Sequence, residues 1–460
     1  MSFIDSRYPQ LNKKHITKNT IKKPIEKTTS NNVKEYFKSF CISQKDVNHQ
    51  TTNQQISNTR TKKNTVTKLV IPSGYSPSQL RTAYNFPAFP ASAQKRPIIA
   101  IVVAYGYHKS AAYSDLRKYC TTFGIPYPTN GGVLNNAKSL PVSLKNKPYF
   151  FEWKPTKTIS TNLSWTSEMA LDVQTSWGAT QTNGSGFATV GPHIILVHGK
   201  SAKASDLLVA INGAILLGAS VISMSFGAGL EISSFENVFY NCANLNKNIV
   251  FVASSGDYNT SNYPSTSTYV LSIGGTRLIL NQNNQRTNET YWYDSSGNVI
   301  LSGAGTGKMP MSLTTANTTF NNFCLAYSNG GNILTVGNIS KNTPDISAVA
   351  APSTGVAIYQ NGSWYVVGGT SASAPLCSSY IVNVNQTRLN NNKLPLTQLQ
   401  LTTCLYSSLA SSSLYHINNT LSTPVINNTP NSYTTTNGVI YDLYNGLGSF
   451  SSSNTVLENL

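Results

Sequence analysis

The chain has 460 residues, of which 40% are hydrophobic and 10% aromatic, and its formal net charge is +17. This composition is typical of a globular protein with a sizeable core, and it excludes a wholly disordered chain. No apolar run approaches the length of a membrane span, and the N-terminus has no apolar signal core. Neither a membrane span nor export by the usual signal is therefore predicted.

Residues 1–66 differ in composition from the rest of the chain. They contain 13 Lys and Arg against 4 Asp and Glu, a net charge of +9, with few apolar residues at a regular period. This pattern predicts a disordered basic arm. Such an arm could bind nucleic acid or another polyanion, but aromatic residues are sparse and no nucleic-acid-binding motif is present, which favours a solvated tail. Residues 67–460 are predicted to form one large domain.

Short Val- and Ile-rich runs alternate with helical patterns after this arm. The alternation predicts βα units around a mainly parallel sheet, in a three-layer αβα domain of the α/β class. The strands are predicted at residues 98–103, 194–198, 221–225, 249–253 and 270–273, and helices at residues 205–217 and 371–389.

Two acidic residues, Glu168 and Asp172, are separated by four positions in a helical segment. Both carboxylates then lie on one face of the helix, where like charges repel. A purely structural helix gains nothing from this pair, whereas a site in which two carboxyl groups share a proton requires it. The alternative interpretation is a solvated helix face without lysine partners.

Asp257 follows a buried strand pattern and a short run of small residues. This places it at the carboxyl end of a parallel strand, where ligand-binding and catalytic groups collect in open α/β sheets. The alternative interpretation is a turn-forming Asp after Gly256, which is common.

Ser371 lies in the segment Gly-Gly-Thr-Ser-Ala-Ser-Ala-Pro at residues 368–375. A glycine-led turn into a small-residue helix exposes a hydroxyl nucleophile beside the unpaired N–H groups of the helix N-terminus. The alternative is an ordinary helix start with Thr370 or Ser371 as the N-cap.

A serine nucleophile needs a base, and the six histidines do not supply an obvious one. They lie in polar or loop-like sequence or beside an apolar run, and His198, which ends that run, is interpreted as a strand-end residue. A carboxylate base is therefore favoured.

These segments together resemble the sedolisins, the serine-carboxyl peptidases, which combine a subtilisin-like fold with a Ser-Glu-Asp triad. The resemblance covers nearly everything after about residue 68. Besides the three segments above, an ordered series of short matches carries it, at residues 74–81, 99–102, 205–208, 263–264, 274–276, 343–348 and 445–448.

The resemblance implies a role for each candidate residue. Ser371 corresponds to the nucleophile, Glu168 to the general base and acid, and Asp172 to the group that shares a proton with Glu168. Asp257 corresponds to the oxyanion-hole acid, which must be protonated to donate a hydrogen bond. A carboxylate base and a neutral Asp donor both imply work at acidic pH.

The resemblance also implies one calcium ion near the C-terminus. Asp442 corresponds to one carboxylate ligand, and Ile417, Gly438 and Ile440 are positioned to supply carbonyl oxygens. His416 stands where the family has a second Asp, so one expected ligand is missing. Two other segments depart from the family pattern. Ser-Phe-Gly at residues 225–227 replaces the common Ser-Trp-Gly near the substrate cleft. No family-type prodomain is predicted in residues 1–66.

We therefore expect a monomeric serine-carboxyl peptidase that hydrolyses peptide bonds at acidic pH, as an endopeptidase or a tripeptidyl-peptidase. A catalytically inactive protein of the same fold, with a structural or binding role, is the alternative from another class. Retention of all four site residues argues against it, because a decayed enzyme is expected to lose at least one.

Overall fold

The structure is a computed structural model. The chain divides into residues 1–35 and 36–460, and every described residue belongs to the second unit. The structure describes residues 37–39, 42–45, 50–52, 69–87, 89, 95–141, 147–258, 260–296, 299–303, 307–310, 340–406, 414–417, 432–434, 440–442, 444–451 and 455–460.

The strands are numbered in chain order. They are β1 (Lys38–Ser39), β2 (Ile42–Lys45), β3 (Gln50–Thr52), β4 (Leu69–Ile71), β5 (Ile98–Ala104), β6 (Thr129–Asn135), β7 (Tyr149–Lys154), β8 (His193–Gly199), β9 (Val221–Met224), β10 (Phe226–Gly227), β11 (Val250–Ser254), β12 (Leu271–Leu280), β13 (Arg286–Tyr291), β14 (Tyr293–Ser296), β15 (Val299–Gly303), β16 (Gly307–Pro310), β17 (Ser340–Thr343), β18 (Ile346–Val349), β19 (Val356–Gln360), β20 (Ser363–Gly368), β21 (Leu414–Tyr415), β22 (Ser432–Thr434), β23 (Ile440–Asp442) and β24 (Ser449–Phe450).

The helices are numbered in the same way. They are α1 (Pro77–Ala83), α2 (Ala112–Phe123), α3 (Leu163–Thr180), α4 (Ala204–Leu216), α5 (Ser233–Asn244), α6 (Thr370–Asn390), α7 (Gln398–Leu405) and α8 (Thr455–Asn459), with a 3-10 turn at Pro352–Thr354.

A nine-stranded sheet forms the centre of the domain. Its order is β13-β12-β11-β9-β5-β8-β7-β6, with β18 paired to β12, and all neighbours are parallel except β12 and β13. Every residue of β8 is buried, as are all residues of β5 after its first. Since successive side chains point to opposite faces, helices must cover both faces, as a parallel sheet requires. The predicted three-layer αβα fold with a mainly parallel sheet is confirmed.

Two long helices, α3 and α6, lie side by side in the core. Ser379 on α6 donates its hydroxyl to the carbonyl of Ser176 on α3 at 3.0 Å. Both helices are buried along most of their length. The helix that carries Glu168 and Asp172 thus packs against the helix whose first turn contains Ser371.

Three short strands lie within the range predicted as the basic arm. β1 pairs with β10, β2 with β20, and β3 with β4. Phe37, which precedes β1, is buried against Phe226 and Phe235. The disordered arm stays a prediction for the rest of residues 1–66. The other residues of that range lie outside the described ones.

Among the residues that the structure describes, no helix is both long enough and apolar enough to cross a bilayer.

Candidate active site

Ser371 lies in the first turn of α6, directly after the glycine-led turn that the sequence indicated. Gly369 has a φ of 100°, in the region that favours glycine, and this conformation turns the chain from β20 into the helix. Ser371 is completely buried, and its Oγ lies 3.5 Å from the carbonyl oxygen of Ser225. The hydroxyl is therefore at the helix N-terminus and next to the end of β9.

Glu168 and Asp172 lie one turn apart on α3 and are both completely buried. The side chain of Asn162 caps this helix by accepting the backbone N–H of Trp165 at 3.2 Å. The burial of Glu168 and Asp172 rules out the alternative interpretation, in which this face of the helix is solvated. It also makes two ionised carboxylates at this spacing costly, as expected for a pair that shares a proton.

Ser225 connects the carboxylate pair to the nucleophile. Its hydroxyl donates to Asp172 Oδ1 at 2.8 Å, while its carbonyl oxygen is the group near Ser371 Oγ. Burial raises the pKa of Asp172 well above its ordinary value, and the Ser225 hydrogen bond only partly opposes this. Asp172 therefore holds a proton where an exposed Asp would not.

Asp257 lies in the loop after β11 and is bound to the residue before Ser371. Its Oδ1 accepts the backbone N–H of Thr370 at 2.7 Å and the Thr370 hydroxyl at 2.9 Å. Gly256, at a φ of 118°, donates its own N–H to Thr370 Oγ1 at 3.0 Å. Residues from β11 and from the start of α6 are thereby held together, although they are far apart in sequence.

The Asp257 carboxyl is suited to donate a hydrogen bond. Burial raises its pKa to about 7, against the lowering effect of the two Thr370 hydrogen bonds. Its second oxygen, Oδ2, has no hydrogen-bond partner among the described residues. Below about pH 7 the group is therefore neutral, and one of its oxygens is available to carry a proton toward a ligand.

Comparison with known proteins identifies the family. The model of the subtilase family matches residues 102–421. The chain belongs to the subtilase family. Kumamolisin from Bacillus sp. (strain MN-32) is 24% identical over 339 residues, which cover 68% of this chain and 53% of that protein. This subtilase therefore spans about half the length of that curated relative.

Two solved structures were also found to be similar. Pseudomonas sedolisin, a serine-carboxyl proteinase complexed with two molecules of pseudo-iodotyrostatin, gives a TM-score of 0.58 at 19% identity, over 82% of this chain and 95% of that one. The prenylagaramide maturation protease PagA gives a TM-score of 0.39 at 14% identity, over 76% and 90%. The predicted resemblance to the sedolisins is confirmed.

His198 occupies a structural position in this subtilase. It lies on β8, with Nδ1 2.7 Å from the carbonyl oxygen of Tyr105 and Nε2 3.2 Å from Glu152 Oε2. Burial alone would raise the pKa of Glu152, but His198 and Lys154 outweigh it and lower that pKa to about 2. Both ring nitrogens thus face groups of neighbouring strands, which agrees with the interpretation as a strand-end residue.

The predicted calcium ligands are only partly described. Asp442 ends β23, and its Oδ1 accepts the backbone N–H groups of Tyr444 and Asn445 at 2.8 and 3.0 Å. Gly438 lies outside the described residues. Among the residues that the structure covers, no three His, Cys, Asp or Glu side chains are grouped to hold a metal. The Asp442 carboxylate thus holds a turn of the backbone, and the calcium ion stays a prediction of the family resemblance.

The sequence did not predict that two further residues form hydrogen bonds with the acidic residues of the site. Ser225 was noted only as part of a tripeptide, and Thr370 only as a helix cap, yet each bonds an acidic residue of the candidate site. The position of Ser225 directly after a buried strand was an available signal, since side chains at the carboxyl ends of parallel strands collect at one edge.

Proposed function

We propose that this subtilase is a serine-carboxyl peptidase that hydrolyses peptides at acidic pH. The observation that carries the proposal is the Asp257 carboxyl, neutral below about pH 7 and bonded to the backbone next to Ser371. A neutral acid at this position serves an oxyanion, which forms when a nucleophile attacks a carbonyl group. Subtilase family membership supplies the reaction class.

In the proposed mechanism Ser371 Oγ attacks the substrate carbonyl carbon and its proton passes to Glu168. Asp257 Oδ2 donates to the developing oxyanion, together with a backbone N–H near Ser371 at the N-terminus of α6. Glu168 then protonates the leaving amine, and an acyl-enzyme forms at Ser371. In the second half, Glu168 takes a proton from water, which attacks the acyl carbon. The bond from the acyl carbon to Ser371 Oγ then breaks, the acid product leaves, and Glu168 returns its proton to Oγ.

Asp172 has the role of a proton-sharing partner in this scheme. Burial raises its pKa, and in this scheme Asp172 keeps the shared proton while Glu168 is ionised. Two ionised carboxylates on adjacent turns of a buried helix would repel, and the proton of Asp172 removes that repulsion. The Ser225 hydrogen bond orients Asp172 Oδ1.

The active protonation state sets the pH range. Glu168 must be ionised to accept the Ser371 proton, which limits activity at low pH. Asp257 must be neutral, and because its pKa is about 7, the rate should fall as pH rises through that value. A histidine base would give the opposite trend, with activity rising as the imidazole loses its proton.

The test is hydrolysis of a mixture of internally quenched peptides by the purified full chain between pH 3 and 8. We expect activity on the acid side, and Ser371→Ala should reduce the rate at least about 1,000-fold. Ser378→Ala is the matched control, since Ser378 is a buried serine of the same helix whose Oγ has no hydrogen-bond partner among the described residues. Product masses distinguish internal cleavage from release of tripeptides.

Three outcomes contradict the proposal. Equal rates for Ser371→Ala and Ser378→Ala would remove Ser371 from the chemistry. Activity that increases from pH 6 to a plateau at pH 8 would exclude Asp257 as a neutral donor. Absence of hydrolysis of any peptide across the range would favour an inactive protein of this fold.

A further inference from the structure

The side chain of Gln174 on α3 makes two hydrogen bonds to the backbone of a single residue. Its Nε2 donates to the carbonyl oxygen of Tyr359 at 2.6 Å, and its Oε1 accepts the N–H of the same residue at 2.8 Å. Gln174 is 1% exposed and lies two positions after Asp172. The buried carboxamide thus uses both its donor and its acceptor to hold one backbone unit outside its own helix.

The carboxamide of Gln174 takes the place of a neighbouring strand. Tyr359 lies on β19, which pairs with β20 and is the edge strand of its sheet in the described part of the chain. An edge strand leaves backbone N–H and carbonyl groups without ladder partners. Both of these groups of Tyr359 bond to Gln174 instead, so α3 is fixed to the edge of the β19–β20 hairpin.

Two further contacts hold the end of the same hairpin. The Ser167 hydroxyl, two helical turns before Gln174 on α3, donates to Gln360 Oε1 at 2.9 Å. The N–H of Asn361 donates to Asp115 Oδ2 in the first turn of α2 at 3.0 Å. Since residues seven positions apart lie on one face of a helix, one side of α3 faces the hairpin.

This hairpin leads directly into Ser371. Its second strand, β20, ends at Gly368, three positions before Ser371. After the nucleophile, Ser379 of α6 donates to the carbonyl oxygen of Ser176 on α3. Helix α3 therefore contacts the segment that precedes Ser371 as well as the helix that follows it. Since α3 also carries the carboxylate pair, these contacts determine where the pair lies relative to the nucleophile.

We propose that Gln174 is a positioning residue for the reaction of this subtilase. Its carboxamide holds α3 against the hairpin that leads to Ser371, and thereby sets the position of Glu168 relative to Ser371 Oγ. Both described hydrogen bonds of Gln174 go to Tyr359, so it acts through the placement of the base. Displacement of a catalytic group by about 1 Å can cost about 100-fold in rate. This inference rests on the proposed function for the roles of Glu168 and Ser371.

Gln174→Met removes both hydrogen bonds and keeps the length of the side chain. We expect kcat for the quenched peptides to fall about 10- to 100-fold, with KM nearly unchanged, because the placement of the base enters the chemical step rather than substrate binding. The measurement is kcat and KM at pH 4 for the full chain and the variant.

Gln174→Glu provides a rescue that depends on pH. A protonated carboxyl donates from one oxygen and accepts at the other, as the carboxamide does, whereas a carboxylate only accepts and faces the carbonyl oxygen of Tyr359. The rate of Gln174→Glu relative to the wild type should therefore be near one at pH 4. It should fall about 10-fold or more as the pH rises to 6.5 and the new carboxyl ionises.

The groups around position 174 favour the protonated carboxyl at acidic pH. On α3, Asp172 lies two positions away, and on the α2 side Asp115 lies at the end of the hairpin. Lys109, which precedes α2, is exposed to solvent, and Tyr359 presents its backbone. Burial and neighbouring acids both raise the pKa of a carboxyl. The carboxyl of Gln174→Glu should accordingly be protonated at pH 4.

Gln386→Glu is the matched control for the titration. Gln386 is a buried residue of α6 whose Nε2 donates to the carbonyl oxygen of Lys95 at 3.0 Å and to Asn390 Oδ1 at 2.8 Å. Its replacement also puts a carboxyl against a backbone carbonyl, but away from the hairpin. The rate of Gln386→Glu relative to the wild type should stay constant between pH 4 and 6.5.

Hydrogen exchange tests the coupling without catalysis. In full chains that carry Ser371→Ala, we expect Gln174→Met to increase deuterium uptake in residues 356–361, which contain the freed Tyr359 amide. For a positioning role the increase should extend to residues 369–376 at the start of α6 and to residues 163–172. Should Gln174→Met fail to fold, Gln174→Glu folded at pH 4 and then transferred to pH 6.5 serves for both measurements.

The inference is overturned by wild-type kcat in Gln174→Met, by the same pH trend in Gln174→Glu and Gln386→Glu, or by exchange that increases only in residues 356–361. Each result would make Gln174 a local support of an edge strand. If the wild type hydrolyses no peptide, the proposed function fails, and the spread of exchange still decides whether Gln174 couples the hairpin to the start of α6.

Discussion

Asp257 and Thr370 are joined by two hydrogen bonds that engage a single carboxyl oxygen. Oδ1 accepts both the backbone N–H and the hydroxyl of Thr370, whereas Oδ2 has no hydrogen-bond partner among the described residues. The arrangement positions the acid beside the helix N-terminus that carries Ser371 and leaves one oxygen for a ligand. The first prediction depends on these two roles: Oδ1 accepts from Thr370, and Oδ2 can donate to a ligand.

Replacing Asp257 separates its donor role from its titration. In the wild type the rate should fall as pH rises through about 7, because the carboxyl loses the proton that it donates. Asp257→Asn keeps an acceptor for Thr370 and a permanent donor, so this decline should disappear. Asp257→Ala removes both and should cost about 100-fold or more in kcat. The measurement is kcat/KM against pH for the three proteins, and an unchanged turnover in Asp257→Ala would contradict the assignment.

Ser225→Ala tests the hydrogen bond that orients Asp172. Its loss removes an interaction worth about 1–2 kcal/mol and should lower kcat about 10-fold. Because that hydrogen bond lowers the pKa of Asp172, its removal should keep Asp172 protonated to higher pH, while the low-pH limb, which depends on ionisation of Glu168, stays in place. Ser223→Ala, on the strand β9 that ends just before Ser225, is the control, since Ser223 Oγ has no hydrogen-bond partner among the described residues. Identical profiles for the two variants would rule out the proposed role of Ser225.

Glu236→Gln should stabilise the fold at high pH. Burial raises the pKa of Glu236 to about 7, although Ser267 and Tyr263 donate hydrogen bonds to it. A carboxyl whose pKa is raised on folding stabilises the native state fully below its unfolded pKa, and loses that contribution as pH rises through 7. Relative to the wild type, the free energy of unfolding of Glu236→Gln should therefore increase by about 3 kcal/mol between pH 4 and 8. Denaturant unfolding at the two pH values measures it, and a pH-independent difference would contradict the assigned pKa.

Substitutions of Asp442 test whether its carboxylate stabilises a turn or binds a metal ion. Asp442→Ala leaves the buried N–H groups of Tyr444 and Asn445 without their acceptor and should cost about 1–3 kcal/mol of unfolding free energy. Asp442→Asn retains an oxygen acceptor and should behave nearly as the wild type, with and without EGTA. A melting temperature that falls on chelation in the wild type alone would show instead that the carboxylate holds calcium.

Local patterns in the sequence were sufficient for the framework of the site. Apolar runs predicted the central strands at residues 98–103 and 194–198, and the structure has them as Ile98–Ala104 and His193–Gly199. The glycine-led segment predicted the helix start at Ser371, and the spacing of Glu168 and Asp172 predicted a shared face. These features depend on backbone conformation and periodicity within a few residues, which a sequence displays directly.

Only the tertiary structure decided which distant groups meet. Ser225 lies 53 positions from Asp172 and Thr370 lies 113 positions from Asp257, so no local pattern could pair them. The pKa of Asp257 depends on burial by segments that the fold brings together, because desolvation is a property of the surroundings. Phe37 was assigned to a disordered arm from the charge of its neighbours. The structure buries it because a strand edge and two aromatic rings, distant in sequence, form a place for it.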